Sequence, residues 1–129
     1  MPKGLNITAF DSMLGVNILD SKPRYAKLSL PFQENLTNPY GSLHGGVIST
    51  LIDSAMAVAV FSTFPDSLFY TRKLDIKFVS QAEKNTIFAE AHIINQKKNF
   101  VFGKVLIKDG AGQLIAQALA TFVLNNKQD

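Results

Sequence analysis

Hydrophobic residues recur mostly at helical spacing up to about Phe61 and switch to a strand pattern beyond Pro65. Ile7, Phe10 and Leu14 share one side of a short helix expected over Asn6 to Leu14, with Gly15 as its stop. Arg24 to Leu30 alternates as a strand, with Ala26, Leu28 and Leu30 facing one way. Asn38-Pro39-Tyr40-Gly41 fits a type I turn, with Asn first, Pro next and Gly last. Ser42 or His44 is placed to cap a helix that Gly45-Gly46 opens and that runs to about Phe61, with Pro65 beyond its end. The period then changes to two. Leu74, Ile76 and Phe78 share a face within Leu68 to Val79, as do Ile87, Ala89, Ala91 and Ile93 within Thr86 to Asn95. Lys97-Lys98-Asn99 turns into a strand over Phe100 to Lys108, and Asp109 to Gly112 turns into another over Gln113 to Leu124. Strands joined by short turns pair antiparallel. The pattern predicts an α+β domain, one long buried helix against a sheet of about five strands.

The long helix is apolar almost all the way round. Val47, Ile48, Leu51, Ile52, Ala55, Met56, Val58 and Val60 cover most of its circumference, which calls for burial on several sides. Its apolar stretch, Val47 to Phe61, is broken by Ser49, Thr50, Asp53 and Ser54 and falls short of the roughly 18–20 residues of a membrane span. No membrane segment is therefore expected. Met1 to Gly15 shows neither the apolar run nor the cleavage site of a secretory leader, so the expected location is cytoplasmic.

Composition adds two points. The 129 residues are 47% hydrophobic and include ten Phe, enough to build the core of a single domain over residues 1–129. Charged residues make up only 18%, against about 25% in an average soluble domain, which suggests that another subunit covers part of the surface. The net charge of +3 is scattered from Lys3 to Lys127, and no strand platform interleaves aromatic and basic residues, so no nucleic-acid partner is expected. The absence of cysteine excludes disulfides, thiolate nucleophiles and cysteine zinc sites.

Several familiar sites are missing. In Gly41-Ser42-Leu43-His44-Gly45 the serine adjoins the first glycine, which is not the spacing of a nucleophile elbow. Gly110-Ala111-Gly112 lacks the third glycine of a dinucleotide loop. His44 and His92 have neither the HExxH spacing nor cysteines to help hold a metal, and none is expected. What remains is the segment from Asn38 to Asp53. Asp53 lies mid-helix among Leu51, Ile52, Ala55 and Met56, and a carboxylate buried there must be hydrogen-bonded, neutralised or used. Two readings stay open: a bond to Ser49, Thr50 or a strand threonine, or a role in chemistry. Gly45-Gly46 offers free amides at the positive end of the helix dipole, suited to developing negative charge, although tight packing of helix on sheet would also call for glycine. Asn38 as a turn former and His44 as a helix-start residue are the plainer readings of those two positions.

Asn38-Pro39-Tyr40-Gly41-Ser42-Leu43-His44-Gly45-Gly46, followed by Thr50-Leu51-Ile52-Asp53, resembles the signature of hotdog-fold acyl-CoA thioesterases. The branch it most resembles is the phenylacetic-acid-pathway type, related to the 4-hydroxybenzoyl-CoA thioesterases. The resemblance spans nearly the whole chain and implies an antiparallel sheet wrapped around one central helix. It further implies that the Gly45 amide polarises the thioester carbonyl, that Asp53 acts as base or nucleophile, and that Asn38 and His44 order the loop and the water or carbonyl. Thr71 matches a hydroxyl position that holds the water, where the family more often has Ser. Gln81-Ala82 stands where the family often has Pro-Gly, a difference expected to lie away from the motif.

No cofactor is implied. Acyl-CoA would be the substrate, with Gly46 close to it, Met56 and Phe61 in the acyl wall, and Lys98, then Lys97, as candidates for the CoA phosphates. A homodimer or homotetramer with sites at the dimer interface is implied as well. Two other readings keep the fold: an acyl-CoA hydratase or dehydratase with His44 as base, and a non-catalytic acyl-CoA binder.

Overall fold

The computed structural model describes residues 7–125; Asn6, Lys3 and Lys127 lie outside the described residues. The short first helix, α1, covers Ala9–Leu14. It starts later than the apolar spacing suggests because Thr8 caps it, its Oγ1 accepting the Asp11 N–H, while Gly15 closes it in the left-handed conformation. Strands β1 (Asn17–Lys22) and β2 (Tyr25–Leu30) form a hairpin. Arg24 belongs to its turn, at φ +73°, so the second strand begins one residue later than the alternation suggests.

The first of these strands was not visible in the sequence. Ile18 and Leu19 are adjacent, and the pairing register shifts between Ile18 and Asp20. Such a bulge changes the phase of inward and outward side chains and erases the period of two. The sheet therefore has six strands where about five were expected.

Helix α2 spans Gly45–Thr63, and strands β3 (Leu68–Phe78), β4 (Ile87–Lys97), β5 (Phe100–Asp109) and β6 (Leu114–Asn125) follow. Every pairing is antiparallel, in the order β1-β2-β4-β5-β6-β3. The hairpin strands stay neighbours, while β3 crosses to the far edge beside β6. At 19 residues, α2 is long and apolar enough to cross a membrane by length and composition, longer than the stretch from Val47 to Phe61 implies. It touches all six strands and serves as the core helix of the sheet.

Small residues make that contact close. Ala89, Ala91, Ala116, Ala118, Ala120 and Gly103 lie buried on the concave face, and Ile48, Leu51, Ile52, Ala55, Met56, Ala59 and Val60 of α2 press onto it. Met56 is fully buried against Gly103, so it belongs to this contact and does not line an open acyl pocket as expected. A Cβ at Gly103 would overlap the Met56 side chain and come within 3.0 Å of the His92 carbonyl oxygen. Overpacking of this kind costs about 1–3 kcal/mol. Gly103→Val should lower the urea midpoint accordingly, and an unchanged midpoint would mean that the helix rides higher over the sheet than described.

Candidate active site

The residues from Leu36 to Gly46 form a tightly bonded loop leading into α2. Asn38 Oδ1 accepts the N–H groups of Tyr40 (2.9 Å) and Ser42 (3.2 Å), and the Asn38 N–H donates to the Ser42 carbonyl at 2.7 Å. The Gly41 N–H returns to the Asn38 carbonyl at 3.1 Å, closing the expected turn, and Gly41 adopts φ +88°. A second tie comes from far along the chain. The Leu43 N–H donates to the Ala82 carbonyl (2.9 Å), and Ser42 Oγ donates to Gln81 Oε1 (3.2 Å). Gln81-Ala82 thus lies against the motif rather than away from it, a proximity created by tertiary folding across 39 residues.

His44 caps α2. Its Nδ1 accepts the Gly46 N–H at 2.8 Å, which leaves Nε2 as the protonated nitrogen of the neutral ring, exposed and able to donate. In this state the ring is a donor at the helix start and not the free base that a hydratase reading needs. The two glycines beside it are small for different reasons. A Cβ at Gly46 would crowd the His44 ring at 3.1 Å. A Cβ at Gly45 would meet only the Phe78 ring at 3.6 Å, an ordinary contact, so packing within this chain does not demand glycine there. The Gly46 amide is already engaged by His44, which argues against its expected contact with substrate. The Gly45 amide meets no acceptor among the described residues.

Asp53 lies two turns further along α2. It is half-buried, not enclosed as its apolar neighbours imply, because its face of the helix opens onto a cavity. Thr71 Oγ1 donates to Asp53 Oδ1 at 2.6 Å, which is the strand-threonine bond considered as the plain reading. A bulge in β3 between Thr71 and Lys73 brings the two together. Thr71 pairs with the buried Phe122 and Leu74 with Ala120, so the extra residue at Arg72 lets both Thr71 and Leu74 face the helix. Ser49 and Thr50 donate to the carbonyls of Gly45 and Gly46, one turn back along the helix.

The cavity is about 500 Å³ and mostly apolar, with Ile18, Ala57, Val58, Phe61 and Phe69 in its walls. Thr50, Asp53, Ser54 and Asp11 supply polar groups. Asp11 escaped the sequence reading because its partner, Ser54, is 43 residues away; Ser54 Oγ donates to Asp11 Oδ1 at 2.6 Å. Lys97 and Lys98 are exposed at the β4–β5 turn, where Phe100 pairs with Val123, and Val123 in turn pairs with Tyr70 of β3. On β2, burial and a hydrogen bond to Glu90 push the Tyr25 hydroxyl up to about 12. No cluster of His, Cys, Asp or Glu suited to a metal occurs among the described residues.

Residues 40–116 match the thioesterase superfamily. The chain belongs to that family. It is 32% identical over 123 residues to acyl-coenzyme A thioesterase 13 of Mus musculus, covering 93% of this chain and 88% of that protein. The PaaI protein from the phenylacetic acid degradation operon of E. coli superposes with a TM-score of 0.87 at 21% identity, over 92% of this chain and 85% of that one. A Streptococcus mutans protein solved with acetyl CoA superposes at 0.81 and 18% identity, over 88% and 91%. These likenesses identify the fold as hotdog and the chain as a thioester hydrolase. Hydrogen bonds to charged groups contribute about 1.5–3 kcal/mol, and the 2.6 Å bond aims the Asp53 carboxylate. Thr71→Val should therefore slow thioester turnover about tenfold or more while Thr71→Ser largely preserves it, as measured by thiol release. Equal rates in both variants would detach Thr71 from the reaction.

Proposed function

We propose that the chain hydrolyses acyl-CoA thioesters in sites assembled from two copies, with Asp53 of one protomer and the Gly45 N–H of its partner acting on the same carbonyl. The observation that carries this reading is the separation of the two groups. Eight residues of helix put Gly45 and Asp53 about 12 Å apart along the axis, whereas both must lie within a few ångströms of one reacting carbonyl. One straight helix cannot satisfy that; two antiparallel copies related by a two-fold axis can, because the start of one then passes the middle of the other.

Three features of the single chain support the pairing. Gly45 has room for a side chain that this chain never uses, consistent with close approach by a ligand or a second copy. Val47, Ala57, Val58 and Phe61 leave part of an apolar helix uncovered. The 11-residue strand β3 lies at the edge of the sheet, with Leu68, Tyr70 and Phe78 each about half exposed, and an unpaired apolar edge is a template for another strand.

In this reading the Gly45 amide and the positive helix end stabilise the oxyanion as the carbonyl carbon becomes tetrahedral. Asp53 either takes a proton from the attacking water or attacks the carbon itself and is released by water. In both routes the C–S bond breaks and CoA leaves as thiolate. As base, Asp53 passes the proton taken from water to the thiolate or to solvent; as nucleophile, it forms a mixed anhydride that water hydrolyses, and the proton of that water goes to the thiolate or to solvent. Thr71 holds the Asp53 carboxylate in line, and Asn38 and His44 hold the loop that presents the amide. The apolar cavity takes a medium-chain or aromatic acyl group, and Lys98, with Lys97, meets the CoA phosphates. Relatives that are acyl-CoA thioesterases by name, and a fold neighbour solved with acetyl CoA, favour the same substrate class.

Asp53→Asn keeps the shape but cannot accept a proton, so kcat should fall about 10²–10⁴-fold while acyl-CoA binding persists. A variant with near wild-type turnover would remove Asp53 from the mechanism. The shared site has its own test, since proline is tolerated at the first helical position and Gly45→Pro removes the amide proton while its ring fills the space beside it. Mixing Gly45→Pro with Asp53→Ala by refolding should restore roughly a quarter of wild-type activity, because half the dimers are mixed and each mixed dimer has one intact site. Mixed dimers that form but show no activity would exclude a two-chain site.

A further inference from the structure

Helix α1 has six residues, far below the roughly 12–15 that an isolated helix needs to persist in water. Phe10 is 54% exposed and Met13 72%, so apolar burial alone does not hold it. Leu14 roots its last turn in the core, and the rest of its hold is polar. Asp11 is only 8% exposed: its Oδ1 accepts the Ser54 hydroxyl at 2.6 Å, and its Oδ2 accepts the Thr8 hydroxyl at 2.9 Å. At the far end of the helix, Gln33 Nε2 donates to the Leu14 carbonyl at 2.7 Å. A short helix is thus tied by one side-chain bond to the residue that follows Asp53 in α2. Ile7, Phe10 and Asp11 line the cavity together with Val58 and Phe61 of α2.

The hydrolytic steps described above leave Asp11 and Ser54 without a role. We infer that Asp11 is a positioning residue for the acyl group: through Ser54 it holds α1 as a wall of the acyl cavity, and that wall sets the preference for chain length. This rests on the acyl-CoA reading. An acyl group entering beside Asp53 meets Ile7 and Phe10 only when it is long enough to reach them. Opening the clasp therefore weakens long chains selectively and leaves short ones nearly as they were. The acceptor at Oδ1 matters more than the charge, so asparagine should serve where alanine fails.

The test is calorimetric titration of the full chain with non-hydrolysable S-alkyl-CoA thioethers from propyl to decyl. Each buried methylene is expected to tighten wild-type binding about fourfold until the cavity is filled. In Ser54→Ala and Asp11→Ala the gain per methylene should fall below about twofold, and the double variant should flatten it no further, since both remove the same bond. Asp11→Asn should keep most of the wild-type slope. A merely structural clasp would lower the thermal midpoint of the variants and leave the slope intact, and that result overturns the inference. So does a slope lost in Asp11→Asn but kept in Ser54→Ala. If the wild-type protein binds the thioethers but releases no thiol from acyl-CoAs, the hydrolytic reading fails and the wall is still judged by the slopes. Absence of thioether binding at every chain length overturns both.

Discussion

Close packing of α2 into a concave sheet is the interaction on which the other features depend. Alanines on the inner face of β4 and β6, with Gly103 between them on β5, bring the helix backbone near enough for Leu51, Ile52, Ala55 and Met56 to fill the remaining space. At such density a single added methyl is felt, as the contact of Met56 with Gly103 illustrates. The helix is thereby fixed in rotation, and fixing its rotation fixes which residues are left over. Thr50, Asp53, Ala57, Val58 and Phe61 face away from the densest contact and toward the cavity.

One helix consequently serves as both core and site. Its start offers an amide without an acceptor among the described residues, and its middle offers a carboxylate aimed by Thr71. The two glycines at the start divide the work. Gly46 is small so that His44 can fold back onto its N–H, whereas Gly45 is small although its own chain leaves room for more. Away from this helix, burial and the hydrogen bond from its hydroxyl to Glu90 raise the pKa of Tyr25 on β2 to about 12.

Around the helix, precision comes from contacts distant in sequence. The loop before α2 is braced by Gln81 and Ala82, α1 by Ser54, and the β1–β2 turn by Thr63, whose Oγ1 accepts the Arg24 N–H at 2.8 Å. The bulge at Arg72 is equally specific, since without the extra residue Thr71 and Leu74 would not both face the helix. A carboxylate held by a single hydroxyl needs that hydroxyl placed within a few tenths of an ångström, and a rigid strand with a bulge provides that more reliably than a free loop does.

The sequence by itself determined the elements whose periodicity is long, and the residues whose chemistry is out of place. Helix α2 and strands β4, β5 and β6 could be read because each buries one face over most of its length, so enough of the hydrophobic period survives in the primary structure despite the register shifts after Ile93 and Ile107. Asp53, Gly45 and Asn38 stood out because a charge, a glycine and a turn residue were set against an apolar helix. Tertiary structure decided the rest. Strand β1 was hidden because its bulge breaks the alternation, and β3 moved to the far edge because strand order follows packing, not chain order. Met56 points from the helix into the sheet and stays outside the cavity, a choice of face that composition does not encode. Asp11, Ser54 and Gln81 have partners tens of residues away, and no local spacing announces a hydrogen bond that only the folded chain brings within reach.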